Sequence, residues 1–351
     1  MAEPLPHPAT PADAAPKRKI PKPLVRFGRI ALVVVVAWLL LRLLRDVSWY
    51  DVGAAVAHLS VWQIAVLLVA VLLRRALLAA PLALLITGLG YLRAMVNDVA
   101  AASVAMIAPS PSDVVIRLAM LRSWGIDTTN AASGLTVSTL LFYVARLAAP
   151  VGGFLLFWAT RTFYAPFAWA ALLFGSAAAL LLGGLLYALR AERTAAKLGR
   201  LLGSLLRRVR PSTRGPDVWA GLLVDFQSHS AERMRRRGAL AVASQIALVA
   251  VEASVLILCL VFVGVKLDGP TLAILACSFL IVYPLSGLPM MGAGILDATY
   301  AAFVADHSTV AATDLVAGLL VWRVAVQLLP VVVGLLTVLV WRRLNAKTGG
   351  A

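Results

Sequence analysis

Six ionisable residues stand out because they lie within, or directly beside, long apolar stretches of the sequence. They are three acids and three arginines, namely Asp113, Glu252, Asp297, Arg117, Arg146 and Arg323. An isolated arginine or aspartate at the centre of a bilayer costs roughly 2.5–3.5 kcal/mol. We therefore expect these side chains to face one another, water or a charged ligand at one shared polar centre.

Two interpretations of this centre remain open at the level of sequence. Equal numbers of acids and arginines could pair completely, so that salt bridges lock two halves of the protein together. Alternatively, the three arginines present forked donors to an anionic headgroup such as phosphate. In that case Glu252 and Asp297 pair with the arginines while the site is empty.

Two interruptions of the apolar pattern lie beside these charges. The stretch 282–297 contains two prolines and three glycines before Asp297, and the stretch 108–113 contains two prolines before Asp113. Proline removes a backbone donor and glycine weakens a helix, so spanning helices should break here. Gly292 and Gly294 either let a headgroup approach the backbone or serve close helix packing. Paired breaks in the two halves of a membrane protein indicate a transporter-type site.

Composition excludes a soluble domain. The chain has 351 residues, 61% of them hydrophobic, with a mean hydropathy of +0.90, and such values indicate bilayer spans. The net charge of +16 is concentrated near the N-terminus, in the segment 190–237 and at the C-terminal end. The positive-inside rule explains this distribution better than a nucleic-acid partner does. We expect a multi-pass protein of the inner (plasma) membrane with both termini in the cytoplasm.

No pattern of catalytic residues or metal ligands is present. The two cysteines lie in apolar segments and the four histidines are scattered, so neither type shows metal-ligand spacing. No nucleophile and base can be placed together on one face. We therefore expect neither enzymatic activity nor a cofactor.

The apolar segments predict an all-α polytopic membrane protein with about six full spans and two re-entrant hairpins. Residues 1–26 are expected to form a disordered basic cytoplasmic tail, 27–343 the transmembrane domain, and 344–351 a second cytoplasmic tail. The predicted spans are 27–44, 61–87, 131–158, 167–189, 239–263 and 315–341. The predicted hairpins are 96–124 and 271–304, each too interrupted for a single crossing. Residues 190–237 form a basic cytoplasmic loop.

The two halves of this pattern correspond. Residues 61–158 and 239–341 each contain a span, a broken hairpin, and a span that carries a buried arginine. The first hairpin should enter from the cytoplasm and the second from outside, as an inverted repeat requires. Within the first half, Arg74 and Arg75 are interpreted as snorkelling towards the inner headgroups or marking a kink near them, with the lining of a polar cavity as the alternative.

Two motifs carry a resemblance to a known family. The stretches Pro109-Ser-Pro-Ser-Asp-Val-Val-Ile-Arg117 and Met290-Met-Gly-Ala-Gly-Ile-Leu-Asp297 resemble motifs of the flippase-like family related to the transmembrane domain of lysylphosphatidylglycerol synthase. Arg146 and Arg323 are similar to arginines that follow each hairpin in that family. The aminoacyltransferase domain of the full synthase has no counterpart here. The resemblance therefore implies translocation or handling of a lipid, and not lysine transfer.

The sequence thus favours a protein that translocates an anionic lipid or a lipid-linked precursor between leaflets. The expected substrate-binding residues are Arg117, Arg146, Arg323, Asp297, Glu252, Gly292 and Gly294. Membrane lipids with anionic headgroups are the expected partners. Two alternatives remain, namely a non-transporting membrane partner of a lipid-modifying or glycosyltransferase enzyme, and a proton-coupled transporter of small solutes.

Overall fold

The computed structural model describes residues 59–107, 111–159, 165–209 and 215–348, which are helical throughout apart from short connections. No strand occurs in these ranges. The predicted span 27–44 and most of both predicted tails lie outside them. The helices are α1 (Val61–Leu85), α2 (Tyr91–Ile107), α3 (Ser112–Ser123), α4 (Thr128–Ala159), α5 (Ala165–Arg190), α6 (Glu192–Val209), α7 (Pro216–Phe262), α8 (Gly269–Val282), α9 (Ile295–His307), α10 (Ala312–Arg323) and α11 (Leu329–Thr348).

Six helical segments in the described part of the chain are long and apolar enough to cross a bilayer. Five of them, α1, α4, α5, α7 and α10 continued into α11, coincide with predicted spans. The sixth, Gly269–Gly287, was predicted as the first arm of a hairpin. A helix of 25 residues such as α1 rises about 37 Å, enough to cross about 30 Å of hydrocarbon. The prediction of an all-α, multi-pass membrane protein is confirmed.

Helices α1 and α7 form an antiparallel pair that defines the two ends of the bundle. At one end the rings of Trp62 and Phe262 meet edge to face, with their centroids 5.3 Å apart. At the other end Arg233 Nη1 donates to the carbonyl of Leu85 at 2.9 Å. The two hairpins can be placed relative to these two ends.

Helices α2 and α3 form the first hairpin, and they begin and end at the Arg233 end. Thr87, which precedes α2, exchanges hydrogen bonds with the side chain of Asn130 at the start of α4, at 3.1 and 3.4 Å. Asp127 caps α4 by accepting from the backbone N–H groups of Asn130 and Thr129, each at 2.9 Å. These donors stabilise the carboxylate and lower the pKa of Asp127. A chain that returns to its starting point cannot have crossed the bundle, so this is a re-entrant hairpin.

The second hairpin, α8 and α9 with the break between them, opens at the opposite end. It follows Phe262, and the next helix, α10, packs directly beside the last turns of α7. A Cβ added at Gly318 of α10 would lie 2.5 Å from the side chain of Leu260. The first arm of each hairpin packs against the last span of the other half: α2 against α11, and α8 against α4. Opposite openings and reciprocal packing are the arrangement expected of an inverted repeat.

The break in the second hairpin has an irregular backbone. A 3₁₀ turn, Tyr283–Gly287, is followed by a short helical turn, Pro289–Gly292, and then by α9. Gly292 and Gly294 have φ of +65° and +83°, a region that strains other residues. A Cβ at Gly292 would also lie 2.4 Å from the carbonyl oxygen of Leu285. Here the backbone approaches itself closely, which explains the glycine.

Three prolines sit inside spanning helices, where each removes a backbone donor. Pro81 leaves the Leu77 carbonyl without its helical partner, and Gln245 Nε2 of α7 donates to that carbonyl at 3.4 Å. Pro150 follows Arg146 by one turn in α4. Pro330 follows a five-residue π turn, Val324–Leu328, that begins directly after Arg323. Single π turns inside α-helices are frequent at functional sites and at kinks.

The segment expected to be a basic cytoplasmic loop is a helical hairpin where the structure describes it. Helix α6 packs on the first turns of α7, and Gly199 allows that approach because a Cβ there would lie 2.6 Å from the Ala220 backbone. Helix α7 then continues without interruption over 47 residues. At about 1.5 Å per residue it is about 70 Å long, so it extends well beyond the hydrocarbon.

The two glycines of the break provide a test of this backbone. We expect Gly294→Ala to destabilise the protein by about 1–2 kcal/mol, because the cost is backbone strain alone. Gly292→Ala adds overlap with the Leu285 carbonyl and should cost more than about 3 kcal/mol. Unfolding of the two purified variants in mixed micelles compares them directly. Equal stabilities would contradict the close backbone approach at Gly292.

Candidate functional site

A buried ion pair joins the middles of α1 and α7. Arg74 Nε and Nη2 each lie 2.7 Å from Glu252 Oε1, and the two side chains are 4% and 0% exposed. In the described residues, Arg74 Nη1 and Glu252 Oε2 have no hydrogen-bond partner. The interpretation of Arg74 as a snorkelling residue is therefore wrong. Its guanidinium points into the protein, where the acid of α7 compensates its charge.

A second ionic group joins α1 to the first hairpin. Asp98 of α2 accepts from Arg75 Nη1 at 3.2 Å and from Arg117 Nη2 at 2.9 Å. Asn97 holds Arg117 in place, since its side-chain amide donates to the Arg117 carbonyl at 3.1 Å and accepts from Arg117 Nη1 at 3.4 Å. Arg75, like Arg74, is buried in an ion pair and does not snorkel.

Arg146 of α4 is buried without a carboxylate partner. It is 7% exposed, and no acid of the described chain lies within 4.0 Å of its guanidinium. Its charge is covered instead by two rings, Phe142 at 4.2 Å and Tyr283 at 5.3 Å from the guanidinium carbon. A Cβ added at Gly287 would lie 3.7 Å from Arg146 Nη1, so this glycine leaves space at the break.

These groups form one connected cluster. Arg74 and Arg75 are neighbours in α1, which links the pair with Glu252 to the group around Asp98. Phe142, whose ring lies against Arg146, lines the same cavity as Asp98 and Arg117. We call the cluster the arginine centre, and it consists of Arg74, Arg75, Asp98, Arg117, Arg146 and Glu252. Four guanidinium groups face two carboxylates, an excess of two positive charges.

A polar cavity of about 190 Å³ opens beside the arginine centre. Asp98, Asp113 and Arg117 line it. When Asp113 is added to the arginine centre, four guanidinium groups face three carboxylates, and the excess is one positive charge. Ser138 Oγ and Gln245 Oε1 belong to lining residues and are buried without a hydrogen-bond partner among the described atoms. Phe142 connects the cavity to Arg146. The cavity itself is lined by one guanidinium and two carboxylates, and it offers unpaired polar atoms and space for a small polar group. The excess of positive charge lies in the arginine centre beside it.

Asp297 and Arg323 form a separate pair. Arg323 Nη2 lies 3.0 Å from both carboxylate oxygens of Asp297, and Nε lies 3.1 Å from one of them. Arg323 Nη1 also donates to the Met291 carbonyl at 3.3 Å, which fastens α10 to the break. In the described structure this pair makes no ion pair or hydrogen bond with the arginine centre.

The expectation of one shared centre for all six ionisable residues thus requires correction. Arg117, Arg146 and Glu252 belong to the arginine centre, although no ion pair or hydrogen bond in the described structure joins them directly, and Asp113 lines the adjoining cavity. Asp297 and Arg323 pair separately. The glycines Gly292 and Gly294 shape the break, as described above. Asp297 lies in the first turn of α9, where it accepts from the Gly294 N–H at 2.9 Å and from Arg323 of α10, so both of its oxygens are engaged away from the arginine centre.

Sequence reasoning missed half of the arginine centre. Arg74 and Arg75 were given the wrong orientation, and Asp98 was not singled out. The available signal was a pair of adjacent arginines inside an apolar run, followed by Asn97-Asp98 inside the next one. Two cations buried at that depth require nearby acids, and Asp98 is the first acid that follows them in the sequence.

Comparison with known families supports the resemblance found in the two motifs. A family model described as the Lysylphosphatidylglycerol synthase TM region matches residues 28–334. The matched range contains both hairpins and the whole arginine centre. Searches of curated proteins and of solved structures returned no match.

The burial of the Arg74–Glu252 pair can be tested by a double-mutant cycle, which measures the coupling free energy of the two side chains. Arg74→Leu alone should destabilise the protein by about 3–5 kcal/mol, because it leaves a buried carboxylate uncompensated. Replacing Glu252 by leucine in the same chain should recover most of that loss. The matched cycle at Arg323 and Asp297, whose side chains are 13% and 24% exposed, should show weaker coupling. Equal coupling in the two cycles would contradict the burial described here.

Proposed function

We propose, because this chain belongs to the family of the lysylphosphatidylglycerol synthase TM region, that it translocates an anionic lipid or a lipid-linked precursor between leaflets. Family membership and six apolar helices make it a multi-pass membrane protein. The finer assignment to lipid translocation is our proposal. Its support comes from the charge of the arginine centre and from the arrangement of the two hairpins.

The observation that carries the proposal is the unpaired arginine of α4. A protein that needed salt bridges only to hold its helices together would gain nothing from a buried guanidinium that has no acid partner. Burying such a charge is costly unless it is paired. An anionic headgroup supplies the missing negative charge, and a forked guanidinium matches phosphate oxygens.

Arg117 and Arg146 are the residues that we assign to the headgroup. Arg117 lines the polar cavity, and Arg146 adjoins it through Phe142. Arg74 and Arg75 are each engaged by an acid and hold the surrounding helices. The Asp297–Arg323 pair fixes the position of the break relative to α10. Rocking of the two hairpin-bearing halves around this centre would expose it alternately to the two sides.

Three further assignments accompany the proposal. The protein moves its substrate without altering it and is not an enzyme. Its partners are membrane lipids with anionic headgroups. By the positive-inside rule, the Arg233 end of the bundle faces the cytoplasm of the inner (plasma) membrane, together with both termini.

Leaflet-specific lipid labelling in reconstituted vesicles tests the proposal. Removing a charge-assisted hydrogen bond costs about 1.5–3 kcal/mol, so Arg146→Gln should slow translocation about tenfold to a hundredfold. Thermal stability should not fall, because no acid of the described chain loses a partner. Arg146→Lys keeps the charge but not the forked guanidinium, so its translocation rate should lie between those of the unchanged protein and Arg146→Gln. Arg193→Gln, an exposed arginine of α6, is the control and should transport as the unchanged protein does.

The same assay separates the alternatives. Translocation no faster than in empty vesicles would contradict the proposal and favour a non-transporting partner of a lipid-modifying or glycosyltransferase enzyme. Uptake of water-soluble solutes driven by a pH gradient would favour a proton-coupled transporter. Unchanged lipid translocation in Arg146→Gln would remove Arg146 from the site.

A further inference from the structure

A second and larger cavity, of about 700 Å³, lies at the Arg233 end of the bundle. One wall is the final turn of α1 and the connection to α2, and the other is α7 from Ser228 to Arg237. It shares no lining residue with the cavity beside the arginine centre. Sites for small molecules commonly measure about 300–1,000 Å³, so this cavity has room for a ligand much larger than one phosphate.

The α7 wall of this cavity lies outside the hydrocarbon. Arg74 occupies the middle of α1, which places its partner Glu252 near the centre of the bilayer. Arg237 and Ser228 precede Glu252 in α7 by 15 and 24 residues, or by about 22 and 36 Å along the helix. Half of the hydrocarbon is only about 15 Å thick. A ligand on this part of α7 is therefore reached from water.

The α7 wall carries one stripe of basic side chains. Residues three or four positions apart share a face of a helix, and the basic residues that line the cavity follow this spacing. They are His229, Arg233, Arg236 and Arg237. The acid of this wall, Glu232, pairs with Arg236 and also with Arg235, which does not line the cavity. The lining therefore keeps an excess of two positive charges.

Two arginines of the stripe have no acid partner among the described residues. Arg233 donates to the Leu85 carbonyl and to the side chain of Asn130, and neither acceptor carries a charge. These bonds fix the position of the Arg233 guanidinium but leave its charge uncompensated. Arg237 is exposed and makes no ion pair with a described residue. A ligand that satisfies both guanidinium groups needs at least two negative charges.

The opposite wall presents backbone donors to the same space. Ile86 and Leu89 line the cavity but are buried, whereas Thr87, Gly88 and Gly90 are exposed. The N–H groups of the two glycines donate to no acceptor in the described part of the chain. A Cβ at either position would meet nothing within 4 Å. Oxygens of a hydrated anion can therefore approach these donors closely.

We propose that this cavity binds a water-soluble polyanion of the di- or triphosphate class. Its phosphate groups lie between the arginines of α7 and the N–H groups of Gly88 and Gly90. Forked guanidinium groups and backbone N–H groups both match phosphate oxygens, and a diphosphate supplies the two required charges in one ligand. Because the connection 87–90 leads into the first hairpin, the bound ligand ties that hairpin to α7. The site goes beyond the proposed translocation and exists whether or not the protein moves lipid.

A cysteine placed in the cavity provides a local readout. Ser228 is an exposed lining residue, and the native Cys259 and Cys277 are fully buried, so Ser228→Cys supplies one accessible thiol. In nanodiscs of phosphatidylcholine, an uncharged maleimide should modify this thiol quickly. Inorganic pyrophosphate at about twice its dissociation constant should slow the modification about threefold, because occupied sites are protected.

Two charge-matched variants decide whether the protection is specific. In the Ser228→Cys background, Arg236→Gln with Arg237→Gln should abolish the protection. Arg200→Gln with Arg207→Gln removes the same charge from exposed positions of α6 and should leave the protection intact. All four arginines are exposed, so neither double variant should lower the melting temperature. Equal loss of protection in both variants, or no protection in the parent, would overturn the proposal.

Three further probes identify the class of ligand. Orthophosphate at the same concentration should protect less than pyrophosphate, because it offers fewer charges. Citrate should also protect less, because its planar carboxylates fit the glycine N–H groups poorly. Phosphatidylglycerol in the nanodisc should protect no better than phosphatidylcholine. Protection by any of the three that equals protection by pyrophosphate would overturn the assignment to a soluble di- or triphosphate.

Discussion

The ion pair between Arg74 and Glu252 determines how the two halves of this protein meet. It joins the middles of α1 and α7, the first described span of each repeat, and both side chains are almost completely buried. Losing one partner leaves a bare charge in a low-dielectric interior, so the pair strongly favours one register of the two helices. The two hairpins are anchored to this antiparallel pair and consequently open at opposite ends.

The bilayer explains why the remaining charges are informative. In water an extra arginine costs little, but inside a membrane protein each one needs an acid, an aromatic face or a ligand. Arg75 and Arg117 share Asp98, whereas Arg146 lies against the faces of Phe142 and Tyr283 and has no acid partner among the described residues. The resulting excess of positive charge beside a polar cavity is the physical basis for proposing an anionic headgroup as the substrate.

The two cavities lie at different positions along α7. The central cavity is small and polar and is lined by helices from both repeats, which suits a headgroup in transit. A larger cavity, of about 700 Å³, lies at the Arg233 end between α7 and the end of α1, where Ile86 and Leu89 are buried. Helix α7 contributes to both, since it runs from the basic surface segment through the centre of the membrane. One uninterrupted helix thus connects the surface of the protein with its interior.

The sequence by itself determined the class of this protein, five of its six predicted spans, the two interrupted hairpins and the family, because hydropathy and proline–glycine breaks are local properties. It also identified Arg117, Arg146 and Glu252 as charges within the helical bundle. Only the tertiary structure decided the pairing: Glu252 binds Arg74, Asp98 binds two arginines, and Asp297 binds Arg323 away from the centre. Partners separated by up to 178 residues are brought together by helix packing, and no local pattern specifies which acid meets which arginine. Arg146 has no acid partner because the acids near it pair with other arginines, so its unpaired state could be established only from the tertiary structure.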